Sequence, residues 1–173
     1  MDARQLRRLI KEVLGDLDYP KNGDLWSEGV EELLMITAAQ ETRLGEYLYQ
    51  INGPARGIFQ MEPKTDRDIW DNYLRYKQDL AEEIHKFVSP HDDVLLDLTA
   101  NLPYQIVMAR VHYLRDPHPI PEATEIMALC SYYKRVWNTY AGKATIDQAY
   151  KNWKELVYRP WGVQVGNIKN CNF

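Results

Sequence analysis

Cysteine is scarce in this 173-residue chain, which has only Cys130 and Cys171. Two such distant residues make neither a metal-binding spacing nor a disulfide framework, so free thiols are expected. Excess charge is missing too: a formal net charge of −4 leaves no basic footprint for nucleic acid. No apolar run approaches the length of a membrane span, so no membrane insertion is expected. The chain contains no Gly-x-Ser-x-Gly, no phosphate-binding loop and no Cys/His pairing in a recognisable context, which leaves serine, kinase and thiol chemistries unsupported. His91-Asp92-Asp93 and the pair His112/Asp116 lack a third assembled ligand and read as polar surface groups, so neither a metal nor another cofactor is expected.

What remains is ordinary globular usage, with 45% hydrophobic and 27% charged residues. No repeat or low-complexity linker divides the chain, which predicts one domain over residues 1–173. Leu6, Ile10, Val13, Leu14 and Leu17 recur at helical spacing with charge between them, so the N-terminus reads as an amphipathic helix and not as a secretory signal. Further helices are expected over residues 66–88, from Pro103 to Leu114, over 122–140 and over 145–158, with Asp116-Pro117-His118-Pro119-Ile120-Pro121 as a stiff loop.

One carboxylate stands out. At about 100° per residue, Val30, Leu33, Leu34, Thr37 and Ala38 form an apolar stripe, and Glu41 falls near its middle. Glu28 and Glu32 point away from that stripe and Glu31 sits at its edge. Burial disfavours the charged form of Glu41, and the negative end of the helix dipole acts the same way, so its pKa should rise. A general acid working near neutral pH needs that property. The alternative is that the helix frays before Glu41 and the side chain reaches solvent.

Gly53-Pro54-Ala55-Arg56-Gly57-Ile58-Phe59-Gln60-Met61-Glu62-Pro63-Lys64-Thr65 follows shortly after. Its glycines allow close approach to the backbone, Pro54 stiffens the turn, and the segment has the makings of a ligand wall. In an extended strand Ile58 and Gln60 would share one face, Phe59 and Met61 the other. Gln60 then stands ready to bond a ligand or the glutamate; an ordinary buried hairpin with Gln60 bonded to backbone is the alternative.

Together, the Glu41-Thr42 helix end, the short loop, Gly57-Ile58-Phe59-Gln60-Met61 and the Pro63-x-Thr65 tail resemble the signature of lysozyme-like peptidoglycan-cleaving enzymes, the soluble-type lytic transglycosylases and goose-type lysozymes. In that family a helix ends in Glu-Ser, and a Gly-Leu-Met-Gln-Ile/Val segment walls the saccharide cleft. The resemblance covers residues 30–70. It implies a mainly α, lysozyme-like domain with a small β or irregular element near residues 55–62. It further implies cleavage of the MurNAc–GlcNAc β-1,4 bond with Glu41 as the acid, and Thr42, Gly57, Phe59 and Gln60 in the substrate site. Glu62 occupies the slot where some goose-type relatives carry an aspartate; it activates water or merely sits at the surface. A late Ala-Tyr-Asn-x-Gly motif of the family has its nearest counterpart in Val136-Trp137-Asn138-Thr139-Tyr140-Ala141-Gly142, which makes Tyr133 or Tyr140 the tyrosine near the glutamate. Tyr113-Leu114 echoes a preceding family pattern.

The C-terminal half is dense in aromatics, Tyr132, Tyr133, Trp137, Tyr140, Tyr150, Trp153, Tyr158 and Trp161 among them, which either line a sugar groove or pack the core. Peptidoglycan glycan strands are the implied partner. An enzyme of this kind without an export signal reaches the wall by release through a membrane lesion, by injection or on a virion, which points to a bacteriophage source and virion components as further partners. A non-catalytic virion structural or wall-binding protein on the same scaffold is the competing expectation.

Overall fold

The computed structural model describes residues 1–17, 25–91, 93–139 and 142–159. Among them the protein is mainly helical, with eight α-helices. Helix α1 (Ala3–Gly15) starts under an Asp2 cap and buries Leu6, Ile10, Val13 and Leu14, as their spacing predicts. Helix α2 (Glu28–Thr42) is capped by Ser27, whose hydroxyl accepts the Val30 N–H. It forms the axis of the molecule.

The expected one-sided stripe on α2 is not what forms. Every residue from Gly29 to Ala39 is buried, because α1, α6, α7 and α8 pack around the helix. Glu31 and Glu32 are therefore inside, only 8% and 7% exposed. Their charges are compensated: Arg7 of α1 donates to Glu31 at 2.9 Å and to Glu32 at 2.6 Å. Trp26 Nε1 donates to Glu31, and Trp153 Nε1 of α8 donates to Glu32. A buried carboxylate without such partners costs several kcal/mol, so this clamp makes an all-round buried helix possible.

The long helix expected over residues 66–88 is divided. Helix α3 (Pro63–Asn72) gives way to a 3₁₀ turn at Leu74–Tyr76 and then to α4 (Gln78–His85). In one straight helix Trp70 and His85 would stand about 22 Å apart at 1.5 Å per residue. Instead their ring centroids are 4.7 Å apart, and Tyr73 Oη donates to the Leu114 carbonyl. Packing both rings bends the chain back and overrides local periodicity.

Helix α5 (Val94–Ala100), capped by Asp93, was not foreseen from the sequence; α6 (Leu102–Leu114) begins where Pro103 places it. Helix α7 (Ile126–Tyr133) starts later than expected because Glu122 and Glu125 close a turn of their own. A π-helical turn, Lys134–Asn138, prolongs it, and Tyr140 lies outside the described residues. Helix α8 (Ile146–Trp153), with Thr145 as its cap, likewise continues into a π-helical turn at Lys154–Tyr158. No helix of the described residues is long and apolar enough to cross a membrane. Cys130 is a buried free thiol, and Cys171 lies outside the described residues.

Where α3, α5 and α6 meet, Asp66 is buried and accepts from Tyr104 Oη at 2.7 Å; that hydroxyl in turn accepts from Trp70 Nε1 at 3.0 Å. Burial raises the Asp66 pKa to about 6, against the pull of the Tyr104 bond, and Asp97 adds to the rise. Asp66 therefore loses its proton near 3.8 in the unfolded chain and near 6 in the folded one, so stability falls as pH climbs between those values. Asp66→Asn keeps an acceptor for Tyr104 and removes this dependence. Denaturant unfolding at pH 4.5 and pH 7 should show the gap between the two conditions shrink by about 2 kcal/mol in the variant.

Candidate active site

Helix α2 delivers Glu41 to its last turn, half-buried, where the helix stops against a left-handed reversal. Arg43, Leu44 and Gly45 all have positive φ, and the Leu44 N–H returns to the Ala38 carbonyl. Thr42 is fully buried. Its hydroxyl donates to the Ile58 carbonyl at 2.7 Å and accepts the Gly45 N–H at 2.8 Å. Thr42 thus ties the glutamate's helix to the Gly-Ile-Phe-Gln segment; expected in the binding site, it has no exposed surface.

The segment itself is a turn and not an extended wall. Arg56 and Met61 pair across it as an isolated antiparallel bridge, and both Gly57 and Gln60 have positive φ. Alternation fails accordingly: Ile58, Phe59 and Met61 are all buried. Phe59, expected in the substrate site, packs edge-on against Trp137 and belongs to the core. Gly57 is required by the protein's own packing. A methyl group there would lie 2.0 Å from the Leu98 carbonyl oxygen and 2.2 Å from Gln105 Oε1. Gly53 makes room for the Gln50 side chain in the same way. Gln60 donates from Nε2 to the Gly57 carbonyl at 2.8 Å and so closes the turn it sits on.

Around Glu41 opens a cleft of about 620 Å³. One side is the loop after α2, with Tyr47, Gln50, Ile51 and Ala55; Gln60 and Glu62 border it from the turn. The stretch after α7 supplies Trp137, Asn138, Gly142 and Lys143. Glu62, the residue before α3, is paired with Lys64 at 2.9 Å. The two glutamates singled out from the sequence therefore share one cleft, while Gly57, Phe59 and Thr42 form its backing.

Tyr133, fully buried in the last turn of α7, donates its hydroxyl to Glu41 Oε1 at 2.5 Å. Burial pushes the Glu41 pKa up, and the Tyr133 bond partly opposes the rise. Burial and the neighbouring Glu41 drive the phenol far above its ordinary range, so Tyr133 keeps its proton and remains a donor. With Tyr133 donating to Oε1, Oε2 is the carboxyl oxygen left without that bond.

Three residues of the site have no signal in the sequence periodicity. Tyr47 donates its hydroxyl to the Glu41 carbonyl oxygen at 2.6 Å and caps the end of α2. Asn138 lies against the Tyr133 hydroxyl, on which it acts in the direction opposite to Glu41. Lys134 spends its ammonium on Asn138 Oδ1 and the carbonyls of Thr139 and Gly142, each at 2.8 Å, and so fastens the cleft wall after the π-helical turn. Only the imperfect echo of the late family motif pointed toward Asn138 and Gly142.

Other candidates are elsewhere. His112 lies under the Trp137 ring with centroids 4.8 Å apart, while Asp116 is held by Arg135 and His118. Among the described residues no cluster of three metal-ligating side chains occurs. Tyr150, Trp153 and Tyr158 stack on one another outside this cleft. Asp92 and Trp161 lie outside the described residues. No protein-family model matches the chain, and no curated protein or solved structure does either.

Two measurements check this geometry. Tyr133→Phe removes the donor that favours ionised Glu41, so the Glu41 carboxyl, followed by carbon NMR, should titrate at higher pH than in the parent; a titration at the same or lower pH contradicts the bond. Gly57→Ala forces a side chain into left-handed backbone against Leu98 and should cost about 3 kcal/mol in denaturant unfolding.

Proposed function

We propose that the protein cleaves peptidoglycan glycan strands at the β-1,4 bond between N-acetylmuramic acid and N-acetylglucosamine, with Glu41 as general acid on a lysozyme-like scaffold. The observation that carries this reading is a half-buried carboxyl at the end of a core helix, bonded on one oxygen by Tyr133 and bordering a cleft shared with Gln60 and Glu62. No cofactor or metal is needed for this chemistry.

Burial keeps Glu41 protonated at a pH where a solvated carboxyl would be ionised. Its proton passes to the glycosidic oxygen as the sugar carbon becomes oxocarbenium-like. The bond from Tyr133 then strengthens, because a hydrogen bond to a carboxylate is stronger than one to a carboxylic acid. Two fates are open to the positive centre. The substrate's own acetamido oxygen captures it, and O6 of the same sugar, giving its proton to Glu41, then displaces that oxygen to close a 1,6-anhydro ring; or water adds and gives its proton to Glu62. The second route requires carboxyl groups about 6.5 to 9.5 Å apart. Delivery to the wall on a virion, by injection or through a membrane lesion suits a bacteriophage protein of this kind.

Glu41→Gln conserves shape and removes the acid. Clearing of purified wall suspensions should fall about 10²- to 10⁴-fold while pelleting with wall persists. Undiminished clearing refutes the assignment, and a parent protein that pellets with wall yet never clears it identifies a non-catalytic wall-binding or virion component. Mass spectrometry of the products separates the two chemistries. If Glu62→Gln leaves turnover intact and the fragments are lighter by one water, capture is internal; if turnover is abolished and the parent yields reducing ends, Glu62 activates water.

A further inference from the structure

Tyr47 combines features that its neighbours lack. It is 46% exposed and borders the cleft, although its hydroxyl is committed to the Glu41 carbonyl. That carbonyl belongs to the last turn of α2, where backbone oxygens have no helical partner. The nearby Gly45 N–H is already taken by Thr42, so Tyr47 serves as the cap. Its ring is thereby tethered at the polar end, and its exposed part is left for other contacts. Tyr49 has its ring covered by Arg56, and Tyr76 by Arg75. Among the described residues, Tyr47 stacks on no ring and carries no cation. Beside it Ile51, 87% exposed, presents aliphatic surface to the same cleft.

Building on the glycan-cleavage reading, we propose that Tyr47 is the stacking platform for a pyranose ring in the cleft and selects gluco-configured sugars. In a β-linked gluco ring every substituent is equatorial, so both ring faces present only C–H bonds and match the negative face of an aromatic. A galacto-configured ring turns its 4-hydroxyl axial and spoils the face on that side, the face proposed to lie on Tyr47. Ile51 is suited to the methyl of an equatorial acetamido group. Because the tyrosine is tethered to the residue that carries the acid, seating the sugar and aligning Glu41 are one event. Tyr47 is in this sense a specificity residue coupled directly to the acid's backbone.

The test uses binding without turnover. A β-1,4-linked N-acetylglucosamine tetramer is titrated by calorimetry into Glu41→Gln, alone and combined with Tyr47→Phe or Tyr47→Ala. Tyr47→Phe, which keeps the ring, should lose no more than about threefold in affinity, and Tyr47→Ala about tenfold or more. An N-acetylgalactosamine tetramer should bind Glu41→Gln about tenfold or more weakly than its gluco counterpart. Proton NMR of the tetramer on Glu41→Gln needs no change at Tyr47: ring current should move the axial protons of one sugar upfield. Equal affinity in Tyr47→Ala, equal affinity for the two tetramers, or bound sugar without the upfield shift overturns the proposal and leaves glycan cleavage standing. The same holds if the parent clears wall but Glu41→Gln binds no tetramer. A parent that neither clears wall nor yields a tetramer-binding variant overturns both.

Discussion

The whole arrangement depends on keeping α2 buried on all sides. A helix at the centre of a small protein can carry acidic residues only if each charge meets a partner, and Glu31 and Glu32 meet theirs in Arg7, Trp26 and Trp153. Those partners come from α1, from the segment before α2 and from α8, so one ionic cluster fastens three parts of the chain to the axis. Removing one member of such a cluster leaves an uncompensated interior charge, at a cost of about 3 to 5 kcal/mol. With the axis fixed, its far end is fixed too, and Glu41 is presented at one place.

Much of this fold could be read from the sequence wherever helical spacing and capping agreed. Helix α1 and the start of α6 follow from residues at Leu6, Ile10 and Pro103 whose roles are local. The failures are equally physical. Glu32 looks like a surface residue by periodicity because nothing in that pattern can anticipate an arginine 25 residues earlier. The break after Asn72 is set by Trp70 meeting His85, a contact that local propensity does not encode. At seven residues, α5 is too short to show a period.

The candidate site was legible in part for the same reason. Glu41, Gln60 and Glu62 do border one cleft, and Tyr133 reaches the glutamate. Thr42, Gly57 and Phe59 proved to be supports, because a loop motif is specified as much by what holds it as by what it holds. Gly57 is the clearest instance: its missing side chain makes room for the carbonyl of Leu98 and the amide of Gln105. Tyr47 has no signature in the sequence, because a capping hydroxyl five residues after a helix end leaves no periodic trace.

The Ile58 peptide is gripped from both sides. Its N–H goes to Gln105 of α6 and its carbonyl receives Thr42 of α2, partners 47 and 16 residues away along the chain. A loop held in this way cannot fray while the helices stay docked. Amide exchange at Ile58 then reports on the whole molecule. Since both ends of that grip span long stretches of chain, the site is also among the last features to assemble as the protein folds.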